Sequence, residues 1–360
     1  MRAVSVRWLL MASLVGACTD EVHSDPEAHS PEPDVTEAGG SGAANGNPED
    51  PGPPLGNEQT QQPGKRVTID RCHASACDSI TLPEQPALAF LEEMGDGWQR
   101  LMEADWALAA GTEGYRCMTL TVPRDVRVIA FSPQSPRGTH HATFGIYSQP
   151  QGPDQVVACG VGSGGERKLH GSGAGSEAMT LPEGVAMVLR AGEQIHMNLH
   201  LFNPTDAVLS GRSGMWIKTA MEEHVEHEAE AVLAGPLQLA VPPGRSTQTG
   251  GCTIRSDATL YGLGPHMHQL GVHMRVTVVR AHGEQSSIEL YDGSYDFERQ
   301  VFHRISPMPL SAGDRVMVEC TYENTTGRTV SWGDSSLDEM CFASMGLFPA
   351  ADYGRLPCFD

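Results

Sequence analysis

The chain has no long apolar run. Its one sustained hydrophobic stretch, Trp8 to Ala17, is about half of what a membrane-spanning helix requires, so no segment reads as transmembrane. It is also short of positive charge: 24 Lys and Arg stand against 45 Asp and Glu, a formal balance of −21. A surface of that sign does not neutralise phosphates, which excludes nucleic acid and an anionic lipid face as partners. There is no G-x-S-x-G elbow, no phosphate loop and no H-E-x-x-H pair, so the nucleophilic, nucleotide-binding and zincin chemistries they carry are absent. No C-x-x-C pair is present either, which removes the usual structural zinc framework. No internal repeat at solenoid spacing is visible. Between Thr19 and Lys65 there is not one aromatic residue.

That last stretch is rich in Pro, Gly, Glu, Asp, Asn and Gln, and cannot bury enough apolar surface to offset chain entropy. It is expected to be a disordered acidic tether over 18–65, with His23 and His29 solvent-exposed. Ahead of it, Arg2 and Arg7 form a positive start, a short apolar core follows, and Val15-Gly16-Ala17-Cys18 has the form of a lipoprotein box. The reading is a signal peptide over 1–17 and a lipid on Cys18. The protein is then exported and anchored to a membrane, facing the periplasm or cell surface, without spanning it. Apart from Cys18 there are eight cysteines, an even number in an exported chain, which points to disulfides.

From Arg66 onward short runs of alternating bulky and polar residues recur between Gly/Pro turns: CMTLTV, VRVIAF, HATFGIY, VAMVLR, IHMNLHLF, GMWIKTA, RVTVVR and RVMVECTY. Strands at this spacing predict an all-β fold of two antiparallel β-sandwich domains. The turn VPPG at 241–244 is the expected boundary, giving domains over 66–240 and 241–360. One segment departs from the pattern. PALAFLEEMGDGWQRLMEADWALA, near residues 86 to 109, has apolar positions compatible with a helical period.

Candidate chemistry lies in the histidines. His140 and His141 are adjacent in RGTHHATFGIY; neighbours on a regular strand face opposite ways, so joint use requires a strand end or bulge. In QIHMNLHLFNP, His196 and His200 share a strand face and position alone does not choose between them. His266 and His268, in GPHMHQLG, project from one face of an extended chain. Imidazole is largely neutral at pH 7 and offers a lone pair at modest electrostatic cost. Met340, in SWGDSSLDEMCFASMG, carries a soft thioether that favours reduced copper, while imidazole serves both copper oxidation states. His224 and His227 sit among acids and read as a solvated edge. His170, His273, His282 and His303 have no partner pattern.

Taken in order, THHATFGIY, LHLFNPTD, HMHQLG and GDRVMVECTYENTTGRTVSWGDSSLDEMC resemble the copper type II ascorbate-dependent monooxygenases, the family of peptidylglycine α-hydroxylating monooxygenase and dopamine β-monooxygenase. The likeness runs over roughly residues 110 to 360. It implies two copper ions at a cleft between two sandwiches. His140, His141 and His200 match the ligands of the electron-transfer copper. His266, His268 and Met340 match those of the oxygen-binding copper, the catalytic set. The implied reaction hydroxylates a C–H bond of a small organic or peptide-like substrate with O2 and two electrons from ascorbate or a similar donor. The rival reading is a non-catalytic copper-binding lipoprotein on the same scaffold; retention of all six ligands favours the enzyme. The resemblance also pairs Cys320 with Cys341 and Cys252 with Cys358. Cys72, Cys77, Cys117 and Cys159 are left to the first domain with their pairing open.

The chain departs from the family where the peptide-processing member holds its substrate. An arginine two residues before the H-x-H pair is Gly264 here, and the Asn and Tyr just after the M-C pair are Phe342 and Ser344. Those substrate roles are therefore not carried over; the three positions stand as pocket candidates, and a carboxylate loses its charge-assisted contact. Asn198 occupies the place of a glutamine associated with electron transfer, and that role is not carried over either.

Overall fold

Period-2 patterning becomes strand after strand in the computed structural model of the chain. It describes residues 70–71 and 90–359, save 161, 163, 174, 237, 283–286, 334 and 352–357. The expected export signal, Cys18, the expected tether, Cys72 and Cys77 lie outside the described residues. Among those described there is no α-helix and a single 3-10 turn, Glu222–His224. The fold is all-β and built from antiparallel sheets.

The expected helix near 86–109 is instead a hairpin. Glu92–Gly95 turns back into β1 (Trp98–Leu108), with Gly95 opposite Trp98. The two residues of the loop, Asp96 and Gly97, both have positive φ, 51° and 74°. That is the turn whose twist matches two paired strands, and Asp-Gly is its preferred sequence. β1 is buried on both faces over much of its length, so its apolar residues lose the strict alternation of a half-buried strand. Residues 86–89 fall outside the description.

The following strands are β2 (Thr112–Thr121), β3 (Val126–Gln134), β4 (Thr139–Tyr147), β5 (Arg167–Gly173), β6 (Val185–Leu189), β7 (Gln194–Asn203) and β8 (Leu209–Ala220). They form two layers, β2-β7-β4-β5 and β6-β3-β8-β1. Trp106, Phe131 and Met215 from one layer and Phe144, Ile195 and Met197 from the other are fully buried in one cluster. Each such side chain contributes roughly 1.5–3 kcal/mol by leaving water.

A second core is enclosed by β9 (Glu230–Gly235), β10 (Gly244–Thr253), β11 (Ala258–Met267), β12 (Gly271–Val279), β13 (Ser287–Ser294), β14 (His303–Leu310), β15 (Arg315–Asn324) and β16 (Cys341–Phe348). The two clusters change over between Ala229 and Val232, ahead of the VPPG turn, because β9 pairs with β16 over five residues. β9 also meets β5 through one pair, Ala231 with Lys168, and β10 through one pair, Gly235 with Gly251. All described residues belong to one compact unit, Gln62–Asp360, so a thin backbone joint connects the two cores. Disulfides link Cys252 with Cys358, Cys320 with Cys341, and Cys117 with Cys159.

Candidate metal centre

The adjacent pair is brought to one side by an irregularity in the ladder. β7 pairs with β4 in register until His200 stands opposite His141; the next pair is Leu201 with Thr139, so His140 is skipped. This bulge supplies the break that a shared role for two neighbouring histidines demands. His140, His141 and His200 each offer a ring nitrogen, and the three lie within 4.8 Å of one another. His196, four residues back on the same strand, is not part of the group. Its ring lies 6.2 Å from that of Tyr147. The strand decides between the two candidates because only the His200 end meets the bulge.

The surroundings say which nitrogens face inward. His200 donates from Nε2 to Glu113 Oε2 at 3.1 Å, and Tyr115 stacks on its ring at 4.5 Å. Its Nδ1 is buried with no hydrogen-bond partner, an arrangement that is costly unless something occupies the lone pair. His140 Nδ1 and His141 Nδ1 stand 3.0 Å apart. Metal–nitrogen bonds of about 2.0–2.1 Å at a tetrahedral angle put two ligand nitrogens about 3.3 Å apart, so the pair fits a shared cation. A carboxylate bonded to the outer nitrogen of a histidine is the usual brace of a metal ligand. Glu113 is that brace, and it also accepts bonds from Ser335 and Ser336 of the second core, at 3.3 and 2.7 Å.

The second set lies at the C-terminal end of β11. His266 and His268 have ring centroids 5.3 Å apart. Glu339, fully buried, accepts the backbone N–H groups of His268 and Leu270 at 3.0 and 2.7 Å and so shapes the chain at the pair. His268 Nδ1 donates to the Asp338 carbonyl at 3.2 Å, and His266 Nδ1 to Gln300 Oε1 at 2.8 Å. Both rings therefore keep Nε2 for another partner. Met340 is buried immediately before β16, whose register places Cys341 opposite Met267 and Phe342 opposite His266. Tyr322 holds its carbonyl at 2.7 Å, and the disulfide of Cys341 fixes the next residue.

The two sets abut. His141 and His266 have ring centroids 5.8 Å apart, barely more than the spacing within either set. Gln300 touches both, its Nε2 lying 3.5 Å from His140 Nε2. Burial, reinforced by the neighbouring rings, holds His140, His141 and His268 well below the ordinary imidazole value, and burial takes His266 down to about 4. These four are uncharged at neutral pH, the state in which they donate to a metal.

A cavity of about 1020 Å³ opens beside them, lined by His141, His266 and Met340 as well as by Gly264, Phe342 and Ser344. Phe342 stacks on His266 at 4.5 Å, and Gly264 pairs with Ser344. Asn198 donates to the Gly160 carbonyl at 3.0 Å and approaches the Cys117–Cys159 sulfurs. Of the other histidines, His170 stacks on Phe131, His273 pairs with Asp292 and His227 stacks on Phe348, all apart from the centre. Glu113 and Gln300 were not recognisable in the sequence. Neither has a partner close in the chain, and the only signal was a lone acid before the Y-R-C of β2.

Buried imidazoles gather where two β cores meet in an all-β protein, and His140, His141 and His200 among them form a group that could hold a metal ion. Residues 228–355 match the family described as copper type II ascorbate-dependent monooxygenase, C-terminal domain. The matched segment contains His266, His268 and Met340; His140, His141 and His200 precede it.

Proposed function

We propose that this protein is a copper- and reductant-dependent monooxygenase that hydroxylates a C–H bond of a small organic or peptide-like substrate, using O2 and two electrons from ascorbate or a similar donor. The observation that carries the reading is the meeting of five imidazoles where the two cores join, with His141, His266 and Met340 lining one cavity, in a chain whose residues 228–355 match the family. His140, His141 and His200 would hold one copper, and His266, His268 and Met340 the other. Bound copper supplies one-electron redox chemistry and open coordination positions for dioxygen.

The chain's own part is to hold and orient. Glu113, Gln300 and the Asp338 carbonyl fix one nitrogen each of His200, His266 and His268, so these three rings each present one lone pair in a set direction. Burial holds the His140, His141, His266 and His268 rings below the ordinary imidazole value. Phe342, flat against His266, forms an apolar wall where substrate carbon would approach.

The test is oxygen uptake by copper-loaded protein with ascorbate and a panel of C–H substrates. Wild type is expected to bind two coppers and turn over. Met340→Ile is expected to cut turnover at least 100-fold while His140, His141 and His200 still bind their ion. Two coppers without substrate-dependent uptake in the wild type would leave a copper-binding protein and overturn the enzyme reading. We also propose lipidation at Cys18. Cys18→Ser should move the protein from the detergent phase to the aqueous phase in a cloud-point partition, and an unchanged distribution would refute the anchor.

A further inference from the structure

The cavity continues along β11 and β16, away from the histidines. Register pairs His266 with Phe342, then Gly264 with Ser344, then Gly262 with Gly346. Between Leu260 and Gly262 the ladder slips against both neighbouring strands, and the residue left out of it is Tyr261. On a regular strand Tyr261 would face away from its neighbours Leu260 and Gly262; a bulge re-aims the extra side chain. Here the ring lies across Gly346, where a Cβ would fall 2.3 Å from Tyr261 Cζ, so this residue must be glycine for the ring to lie there. Tyr261 stands on a strand of the second core, yet it packs with the core cluster of the first.

Its hydroxyl is the telling part. Tyr261 is 3 % exposed, its Oη has no hydrogen-bond partner among the described residues, and it lines the cavity. Ser172 is the same case on the β5 side: buried, lining the cavity, its Oγ without a partner. A buried phenol without an acceptor is destabilising, and a ligand supplying one would recover that loss. Burial also pushes the phenol's pKa up, so it remains a donor. The charges on the wall whose partners are visible are matched internally, Arg167 to Glu193 and Arg190 to Glu228. Much of the remaining surface is apolar, including Phe302, Phe342, Val232 and Met345.

We propose that Tyr261 is a specificity-determining residue, its phenol anchoring the far end of an elongated, uncharged, largely aromatic substrate through a carbonyl or ether oxygen. From His266 to Tyr261 is about 16 Å along an extended chain, which sets the reach of such a molecule. Gly264 and Ser344 leave the intervening wall low. The inference rests on the reading of this cavity as the substrate site, but it concerns binding and does not need turnover.

The probes are four matched biphenyls: 4-acetylbiphenyl, biphenyl-4-carboxylate, biphenyl-4-methanamine and 4-ethylbiphenyl. Their dissociation constants are measured by calorimetry on the full chain, copper-loaded and copper-free, for wild type, Tyr261→Phe and Ser172→Ala. The ketone should bind wild type about 3- to 10-fold tighter than the ethyl compound, the size of one hydrogen bond. Both charged members should bind more weakly than the ketone. Tyr261→Phe should bring the ketone-to-ethyl ratio near one, with a melting temperature equal to or above that of the wild type. A ratio untouched by Tyr261→Phe, a charged member binding tightest, or no binding by any of the four would overturn the proposal. Ketone binding through Tyr261 in a protein that never consumes oxygen would sustain this inference while removing the enzymatic one.

Discussion

The residue with the widest influence on the centre is Glu113. One carboxylate fixes His200 and ties it to Ser335 and Ser336, five and four residues before Met340. Glu113→Gln keeps the shape and removes the charge. Copper affinity of the His140–His141–His200 group should fall about 10- to 100-fold, with the melting temperature of the metal-free protein little changed. Competition against a coloured copper(I) chelator measures it; equal affinities would show that the carboxylate is not a brace. At this scale the sequence was half legible. H-H and H-x-H announce themselves because the partners are neighbours in the chain. His200 was not separable from His196, since what distinguishes them is a skipped residue on another strand. Glu113, Gln300 and Tyr261 act across sheets, and no local pattern marks them.

Among the elements, β16 and its approach matter most, because Met340 precedes the strand and Cys341 opens it. The Cys320–Cys341 bridge closes a span of 21 residues. Removing it as Cys320→Ala/Cys341→Ala should cost about 3 kcal/mol by chain entropy. It should also lower copper content from two to one, as the Met340 segment loses its fixed end. Urea unfolding and metal analysis read the two effects; undiminished copper would mean that the Tyr322 and Glu339 bonds suffice. Strand positions were largely legible, since period-2 alternation reports one buried face. The hairpin at Glu92–Leu108 was missed because β1 is buried on both faces over much of its length, which erases alternation. The dipeptide Asp96-Gly97 is the local turn signal within that segment.

For the whole molecule, the two candidate ligand sets come from separate cores that meet here. Each set is braced in part by the other core. Glu113 of the first core reaches the loop before Met340, and Gln300 of the second holds His266 while lying against His140. That two sandwiches would form was legible from strand spacing; that their imidazoles would touch was not, because the docking of two cores leaves no periodic trace. A copper(I) titration of wild type should be steeper than two independent sites allow, and Met340→Ile should weaken the ion held by His140, His141 and His200 severalfold although none of its ligands is altered. Independent binding in both proteins would count against the crossed bracing. With both ions bound, such a scaffold would behave as a keystone arch: the first ion seated would stiffen the ground on which the second rests. By thermodynamic reciprocity the second would return the same favour, and loss of either would loosen its companion.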